Sequence, residues 1–255
     1  MSLSVLIWDV DGTIAETEEA HRHAFKRTFQ EHGYDWNWGR EKYRDLLKVT
    51  GGVERITHFL RTERPDDLPA AEFEAAVRAL HKAKTANYVH SLESGEVPLR
   101  PGVERLMIEA REAGVRLAIA TTTSAPNIAA LIDHSPDSVR MDWFEVIGAG
   151  GIIPNKKPAP DIYHWTLGEL GVDPSECVAM EDSRNGLLSA HSAGLPTVIT
   201  VSSYTEGQDF TGALAVSDSL GDPGVPVRML SGETHGKRWI DLDLIRNWHA
   251  AAAKA

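Results

Sequence analysis

Two aspartates in the string Asp9-Val10-Asp11-Gly12-Thr13 are the residues whose type and spacing most directly suggest chemistry in this chain. Two carboxylates two residues apart, followed by a glycine, can both point into one crevice. Their oxygens are the ligands that a hard divalent cation such as Mg²⁺ prefers. The same string alone is also typical of a plain turn. The function of these aspartates therefore depends on which polar groups other segments bring beside them.

The elements that must position these residues are predicted to be short buried strands. Residues 5–8 form an apolar run, rich in β-branched and aromatic side chains, that stops at Asp9 and is followed by the turn residue Gly12. Four later runs have the same character, and their polar or glycine ends include Thr121, Gly148 and Glu181-Asp182. These runs are residues 115–120, 144–147, 177–180 and 197–201.

Helical patterns separate these strands, at residues 103–113, 161–170 and 183–193, each bounded by a glycine. Strands that alternate with helices of this length favour an α/β fold, a Rossmann-like parallel sheet core with helices on both faces. Ligands of such sheets bind beyond the carboxyl ends of the strands. We therefore expect Asp9, Asp11, Thr121 and Glu181-Asp182 to meet at one edge, within reach of the Lys156-Lys157 loop.

Residues 17–93 depart from this alternation because nearly all of them have helical patterns. Helices are predicted at residues 18–32, 40–47, 53–61 and 71–92. The segment is too long for a single crossover, so it indicates an inserted all-helical cap with hinges near residues 15–17 and 93–99. The expected domains are a core of residues 1–16 and 94–223, a cap of residues 17–93 and a C-terminal extension of residues 224–255, with a helix at 238–253.

The composition excludes several classes of function. The chain has 255 residues, with 37 acidic against 26 basic ones, and its net charge of −11 argues against nucleic acid and anionic membranes as partners. The one cysteine, Cys177, excludes an internal disulfide and a multi-cysteine zinc site. No apolar run approaches the roughly 18 residues of a membrane helix, and the first residues lack the pattern of a signal peptide. A cytoplasmic protein is expected.

Four short motifs, in order, resemble those of the haloacid dehalogenase (HAD) superfamily of phosphotransferases. The matching residues are the DVDGT string at 9–13, Thr121, Lys157 in NKKPAPDIY, and Glu181-Asp182-Ser183. An inserted helical segment after the first motif is also typical of the cap-bearing members of this superfamily. Dehalogenation itself is not expected, because the enzymes that catalyse it lack the second aspartate, which is Asp11 here.

The resemblance implies the roles of the residues at this edge. Asp9 would be the nucleophile and form an aspartyl-phosphate, which splits one hard displacement into two. Asp11 would protonate the leaving oxygen and then deprotonate the attacking water. Thr121 would hydrogen-bond the phosphoryl group, and Lys157 would offset its charge. Mg²⁺ is the implied cofactor. Its ligands would be Asp9, the backbone carbonyl of Asp11 and Asp182. Glu181 would either be a further ligand or lie next to the ligands without contacting the ion.

A closer resemblance is to the CbbY-like branch, sugar bisphosphate phosphatases related to β-phosphoglucomutase. It rests on AETEEAH at 15–21, TGGVER at 50–55, HKAK at 81–84, ATTTSAPN at 120–127 and Tyr204-Thr205. The substrate in that branch is xylulose-1,5-bisphosphate, an inhibitor of the Calvin-cycle carboxylase. Val53 stands where the branch has a basic residue.

A bisphosphate requires a second anion site away from the metal. Backbone N–H groups at Gly51-Gly52 and at Thr123-Ser124, both before helices, are candidates for it. Arg55 and Lys84 would supply positive charge, whereas Glu18 and His21 would hydrogen-bond sugar hydroxyls. The predicted substrate-binding residues are Glu18, His21, Thr50, Gly51, Gly52, Arg55, His81, Lys84, Thr122, Thr123, Ser124 and Asn127.

Three alternatives remain open from the sequence. A β-phosphoglucomutase-like phosphomutase would use the same Asp9, Asp11 and cap, and would differ in whether a sugar hydroxyl or water takes the phosphoryl group. A phosphoglycolate-type phosphatase is the second. The third is a phosphate-ligand sensor phosphorylated on Asp9, although receiver domains are much shorter and need no cap. The expected partner is a small phosphorylated sugar bound by a monomer, in the cytoplasm or, if a precursor carries a transit peptide, in the plastid stroma.

Overall fold

The computed structural model describes residues 2–92, 97–135 and 138–253. Seven strands lie in these ranges: β1 Val5–Trp8, β2 Arg116–Ala120, β3 Phe144–Gly148, β4 Cys177–Glu181, β5 Thr197–Thr200, β6 Ala215–Ser217 and β7 Met229–Ser231. They form one sheet in the order β3-β2-β1-β4-β5-β6-β7. All neighbouring pairs are parallel except β6 and β7, which are antiparallel.

Nine α-helices lie in the same described ranges: α1 Glu18–Glu31, α2 Arg40–Leu46, α3 Gly52–Glu63, α4 Phe73–Leu92, α5 Val103–Glu112, α6 Ala125–His134, α7 Asp161–Leu170, α8 Arg184–Ser192 and α9 Leu242–Ala252. Most of them match the predicted helices closely, but α9 begins at Leu242, later than predicted. Its start is set by Asp241, whose carboxylate accepts a hydrogen bond from the Leu244 N–H at 2.9 Å.

Helices cover both faces of the sheet. Leu6 and Trp8 of β1 point into a buried cluster with α5, α6 and α9, whereas Val5 and Ile7 point into a second cluster with α7 and α8. The central strand is apolar at every position because successive side chains face opposite covered sides. The predicted α/β class, with helices on both faces of a mainly parallel sheet, is confirmed.

The inserted helices α1–α4, residues 18–92, are called the cap below. They pack around an aromatic cluster that includes Phe25, Trp38 and Phe59. The ring centroids of Phe25 and Trp38 are 4.6 Å apart, and those of Trp38 and Phe59 are 5.3 Å apart. Each such pair contributes about 0.5–1.5 kcal/mol beyond the burial of its area. This cluster is separate from the two clusters that line the sheet.

The two segments that join the cap to the sheet lie side by side. Ala15 forms an antiparallel bridge with Leu99, and the Arg100 N–H donates to the Ile14 carbonyl at 2.9 Å. Both contacts are in or beside the predicted hinges. Residues 93–96, where the second hinge and the predicted domain boundary fall, lie outside the described residues, so the domain boundaries stay a prediction.

Arg100 ties the second connection to the sheet. Its guanidinium is buried and donates to the carbonyls of Gly12, of Thr200 at 2.8 Å, and of Val201 and Asp218 at 2.6 Å each. A single side chain thereby fixes the turn after the DVDGT aspartates against the carboxyl end of β5.

The C-terminal residues complete the sheet and cover one of its faces. β7 pairs with β6, and α9 packs on α5, with Leu244 and Ile245 in the buried cluster on that face of the sheet. The sequence pattern predicts neither β6 nor β7, because three residues are too few to show a strand period. Among the helices of the described ranges, none combines the length and apolarity needed to cross a bilayer.

Candidate active site

The end of β1 places Asp9 and the turn that follows it at the edge of the sheet. The Asp9 N–H donates to the Met180 carbonyl at 3.0 Å, which continues the pairing with β4. Gly12 has a φ of +82°, and a Cβ at this position would overlap with the carboxylate of Asp182. Glycine is therefore required both for the backbone conformation and for the approach of Asp182.

Lys157 holds two carboxylates together at this edge. Its Nζ donates to Asp9 Oδ1 at 2.7 Å, to Glu181 Oε1 at 2.5 Å and to the Ala120 carbonyl at 2.8 Å. Burial alone would lower the pKa of Lys157, but Asp9 and Glu181 raise it above its ordinary value. The hydroxyl of Tyr163 donates to the same Glu181 oxygen at 2.5 Å. The lysine is therefore fixed as a cation against Asp9.

Three buried carboxylates lie close together beside this lysine and fit a divalent cation. One oxygen from each of Asp9, Glu181 and Asp182 lies within 4.8 Å of the others. Burial raises the pKa of Asp9 to about 7, because Lys157 offsets only part of this cost, and burial together with the charges of Asp9 and Glu181 raises the pKa of Asp182. Glu181 Oε2 is buried with no hydrogen-bond partner in the described part of the chain. Buried, under-compensated carboxylate oxygens are the donor set that Mg²⁺ takes.

Asp11 faces the cap. Its Oδ1 accepts hydrogen bonds from Thr17 Oγ1 at 2.6 Å and His21 Nε2 at 3.0 Å, and its Oδ2 accepts from Thr123 Oγ1 at 2.5 Å. Burial alone would raise the pKa of Asp11, but His21 and the two hydroxyls together lower it below its ordinary range. Asp11 is therefore an ionised carboxylate here and is able to accept a proton.

A chain of hydrogen bonds runs from the cap to Asp11. The Nζ of Lys84 lies 2.7 Å from His21 Nδ1. An ammonium group only donates, so Nδ1 of His21 accepts and its Nε2 carries the hydrogen that goes to Asp11. The His21 ring also stacks on Tyr88 at 3.9 Å. Burial lowers the pKa of His21 and lowers that of Lys84 to about 7.

All of the predicted catalytic, metal-binding and substrate-binding residues line one cavity of about 620 Å³ between the sheet edge and the cap. The cavity also contains residues that the sequence analysis does not select as site residues, among them Asn185, Ser202 and Gln208. No local motif marks these residues: Asn185 lies at the start of α8, and Ser202 and Gln208 lie in the loop after β5, whose path depends on the folded chain.

Arg55 and Glu18 are connected through a tyrosine that sequence reasoning misses. The Arg55 guanidinium donates to the Leu46 carbonyl at 3.2 Å and to the Tyr43 hydroxyl at 3.2 Å. Tyr43 in turn donates to Glu18 Oε2 at 2.9 Å. Arg55 thereby orients Glu18 through Tyr43, and its direct contact with a substrate stays a prediction.

The start of α6 offers hydrogen-bonding groups to the cavity. Ser124 is the N-cap of α6, and its hydroxyl and the Oδ1 of Asn127 are buried with no hydrogen-bond partner among the described residues. Beside them, the Thr123 N–H donates to Thr121 Oγ1 at 3.2 Å. Thr122 lies in the same turn. Its backbone is so close to Gly150 that a side chain at position 150 would overlap with it. The free Ser124 hydroxyl can donate at this helix N-terminus, which suits an anionic ligand, whereas the Asn127 Oδ1 can accept from a ligand hydroxyl.

The start of α3 lies on the cap side of the same cavity. Gly51 has a φ of +99°, and Gly52 packs against the ring of His81. Lys156, from the core, pairs with Glu54 at 2.9 Å beside this helix start. A lysine of the core thereby brings positive charge to the place where Val53 supplies none.

Thr50 forms a further contact between cap and core. Its Oγ1 accepts a hydrogen bond from Asn185 Nδ2 at 3.0 Å, at the start of α8. Thr50 thus holds the cap and the core together beside the cavity.

Comparison with known proteins identifies the family. The family model for haloacid dehalogenase-like hydrolases matches residues 3–194. The chain belongs to this family. It is 43% identical over 251 residues to Protein CbbY, plasmid, of Cupriavidus necator, covering 97% of both chains. It is also 50% identical to Protein CbbY of Rhodobacter capsulatus over 84% of this chain and 92% of the relative. The predicted family and its CbbY-like branch are confirmed.

Solved structures agree with this assignment. The crystal structure of CbbY from Rhodobacter sphaeroides in complex with phosphate matches with a TM-score of 0.79 and 46% identity, over 85% of this chain and 94% of that one. A mutant of the same protein has been solved in complex with xylulose-(1,5)bisphosphate. β-Phosphoglucomutase from Clostridium difficile, with a TM-score of 0.74 at 18% identity, shares the fold. The predicted enzyme class, a phosphatase of the HAD type, is confirmed.

Proposed function

We propose that this haloacid dehalogenase-family phosphatase hydrolyses xylulose-1,5-bisphosphate with Mg²⁺ and an aspartyl-phosphate on Asp9. The observation that carries the proposal is the buried Asp9 carboxylate, held 2.7 Å from Lys157 beside Glu181 and Asp182, in a cavity that is also lined by the free hydroxyl of Ser124. The complex of a relative with this sugar bisphosphate supports the choice of substrate.

In the first step, a carboxylate oxygen of Asp9 attacks the phosphorus of the substrate, and the bond from phosphorus to the sugar oxygen breaks. Asp11 gives its proton to that oxygen. The negative charge of a bound phosphate raises the pKa of a neighbouring carboxyl, which is how Asp11, ionised without ligand, acquires this proton. Lys157 and Thr121 stabilise the charge of the transferring group.

In the second step, water attacks the phosphorus of the aspartyl-phosphate, Asp11 accepts the proton of that water, and inorganic phosphate leaves with Asp9 restored. Mg²⁺ would be held by Asp9, Asp182 and the Asp11 carbonyl. Glu181 would either be a further ligand or lie next to the ligands without contacting the ion. When bound, the ion would offset the repulsion between phosphate and carboxylate. The cap excludes other water from the site.

The second phosphate of the substrate would lie on the cap side of the cavity. Groups from both sides support this placement: the free hydroxyl of Ser124 at the N-terminus of α6 faces the cavity from the core, and the core residue Lys156 lies beside Gly51 of the cap. Glu18, oriented by Tyr43, would bind a sugar hydroxyl. The domain limits stated from the sequence, a monomeric state and a cytoplasmic location belong to the same proposal.

Phosphate release from a panel of sugar phosphates tests the proposal. The panel contains xylulose-1,5-bisphosphate, ribulose-1,5-bisphosphate, β-glucose-1-phosphate and phosphoglycolate, each with Mg²⁺ and with excess EDTA. We expect the highest kcat/KM for xylulose-1,5-bisphosphate and no turnover in EDTA. A preference for β-glucose-1-phosphate or phosphoglycolate would replace the substrate, and full activity in EDTA would refute the metal requirement.

Lys84→Met is expected to stabilise the protein while it weakens catalysis. Burial of this ammonium lowers its pKa from 10.5 to about 7 in the folded state, so the native protein bears a desolvation cost. We expect the free energy of unfolding at pH 6 to rise by about 1–2 kcal/mol, since the lost His21 contact offsets part of that cost. We expect kcat/KM for the bisphosphate to fall about 10- to 100-fold, because the chain that holds Asp11 is broken.

The stability gain has a defined pH dependence. Below pH 7 the lysine is protonated in both states and the cost is fully present, whereas between pH 7 and 10.5 the folded state loses its proton first and the cost disappears. The difference between variant and wild type should therefore shrink as pH rises, measured by urea unfolding at pH 6, 8 and 9.5. Lys82→Met, an exposed lysine of the same helix, is the control. An equal difference at all three pH values would contradict this account.

A further inference from the structure

Tyr204 belongs to the loop after β5, but its side chain packs with the cap. It is 2% exposed and is a member of the aromatic cluster formed by the cap helices. Its ring meets the Tyr43 ring edge-on at a centroid distance of 5.6 Å. Its hydroxyl donates to Glu19 of α1. A residue of the core loop thus completes the core of the cap.

The cap also contacts the loop around Tyr204. The guanidinium carbons of Arg40 and Arg44 lie 5.5 and 5.8 Å from the centre of the Tyr204 ring. Arg44 Nη2 donates to the Ser203 carbonyl at 3.3 Å. These contacts come from α2, so the loop is held by two cap helices.

The other side of the same loop contacts Asp182. The Thr205 hydroxyl donates to Asp182 Oδ2 at 3.4 Å, and it accepts from the Ser202 N–H at 2.8 Å. The Thr205 N–H donates a hydrogen bond to the Ser202 carbonyl at 3.2 Å. Residues 202–205 therefore form a closed hydrogen-bonded turn, with the cap on one side and the Asp182 carboxylate on the other.

We propose that Tyr204 is a positioning residue that couples the docking of the cap to the placement of the Asp182 carboxylate, and so to the affinity for Mg²⁺. The inference rests on the proposed function, which assigns Asp182 as a metal ligand. The turn is too short and too well bonded to absorb a movement of the Tyr204 ring, so such a movement displaces the Thr205 hydroxyl. Separation of cap and core then loosens the metal site as well as opening the cavity.

The test measures Mg²⁺ binding by isothermal titration calorimetry, without substrate, for wild type, Tyr204→Ala and Tyr204→Phe. We expect the Kd for Mg²⁺ to rise about fivefold or more in Tyr204→Ala, the lower range of measured couplings between sites. Tyr204→Phe keeps the ring and loses the contacts of the hydroxyl with Glu19 and Arg22, so about a twofold rise is expected by the same reasoning. The control is Tyr34→Ala, which removes a ring stacked on Trp36 at the edge of the same cluster without touching the loop.

The outcomes separate this inference from the proposed function. A raised Kd in both Tyr204 variants, with Tyr34→Ala unchanged, supports the coupling. A lower melting temperature with an unchanged Kd shows a merely structural role and overturns it. If Tyr204→Ala does not fold, Tyr204→Phe decides: a Kd equal to that of wild type overturns the coupling. Absence of Mg²⁺ binding by wild type would overturn the proposed function and the inference together.

Discussion

Asp9→Asn should abolish phosphoryl transfer while the fold is kept. An amide is a poor nucleophile, and loss of a catalytic nucleophile lowers kcat by about 10⁴-fold or more. The structure should tolerate the change, because the Asp9 carboxylate is buried with a raised pKa and an amide oxygen can still accept from Lys157. The measurement is phosphate release from the bisphosphate, together with the circular dichroism spectrum and melting temperature.

The control for this variant is Asp66→Asn, which changes an exposed aspartate of the cap and should leave kcat as in wild type. Covalent labelling gives a second readout: wild type quenched in acid during turnover should carry phosphate on Asp9, and Asp9→Asn should carry none. Turnover by Asp9→Asn within tenfold of wild type would eliminate Asp9 as the nucleophile.

Asp11→Asn is expected to lower kcat for the sugar bisphosphate by about 10²- to 10⁴-fold, the usual range for loss of a general acid and base. The cause is the loss of a proton donor for the sugar oxygen and of a proton acceptor for water. Asparagine keeps an oxygen for the hydrogen bonds from Thr17 and His21. The KM should therefore change little.

An aryl phosphate distinguishes the two uses of Asp11. Its leaving group needs no proton, so the first step should proceed in Asp11→Asn whereas the second should not. We expect a burst of nitrophenolate, in an amount equal to the enzyme, followed by slow turnover. Absence of a burst together with a wild-type steady rate would show that Asp11 transfers no proton in either step.

The polar residues at the ends of the strands explain why the sequence predicts so many of the site residues. Asp9, Thr121 and Glu181 each follow an apolar run, and parallel strands bring their carboxyl ends to one edge. The residues at the starts of helices, such as Gly51 and Ser124, are predicted because a break in a helical pattern is visible locally. All of these residues line the same cavity.

The residues that the sequence does not predict act through distant partners. Tyr163 bonds Glu181, Tyr43 bonds Glu18, and Tyr204 packs in the cap. Each partner lies many residues away along the chain, and a buried tyrosine in a helix or loop is equally typical of ordinary core packing. Arg100 is similar, since four backbone carbonyls that only the fold brings together determine its position. Local patterns carry no information on such contacts.

The position of α9 decides how the protein can be attached to a surface or to another protein. In the last turns of this helix, His249 Nε2 lies 2.7 Å from the Ser175 carbonyl, just before the amino end of β4, whereas the catalytic carboxylates follow the carboxyl ends of the strands. A polypeptide joined beyond α9 would thus begin on the opposite side of the sheet from the cavity. Immobilisation or fusion at that end should leave substrate entry and cap movement unobstructed.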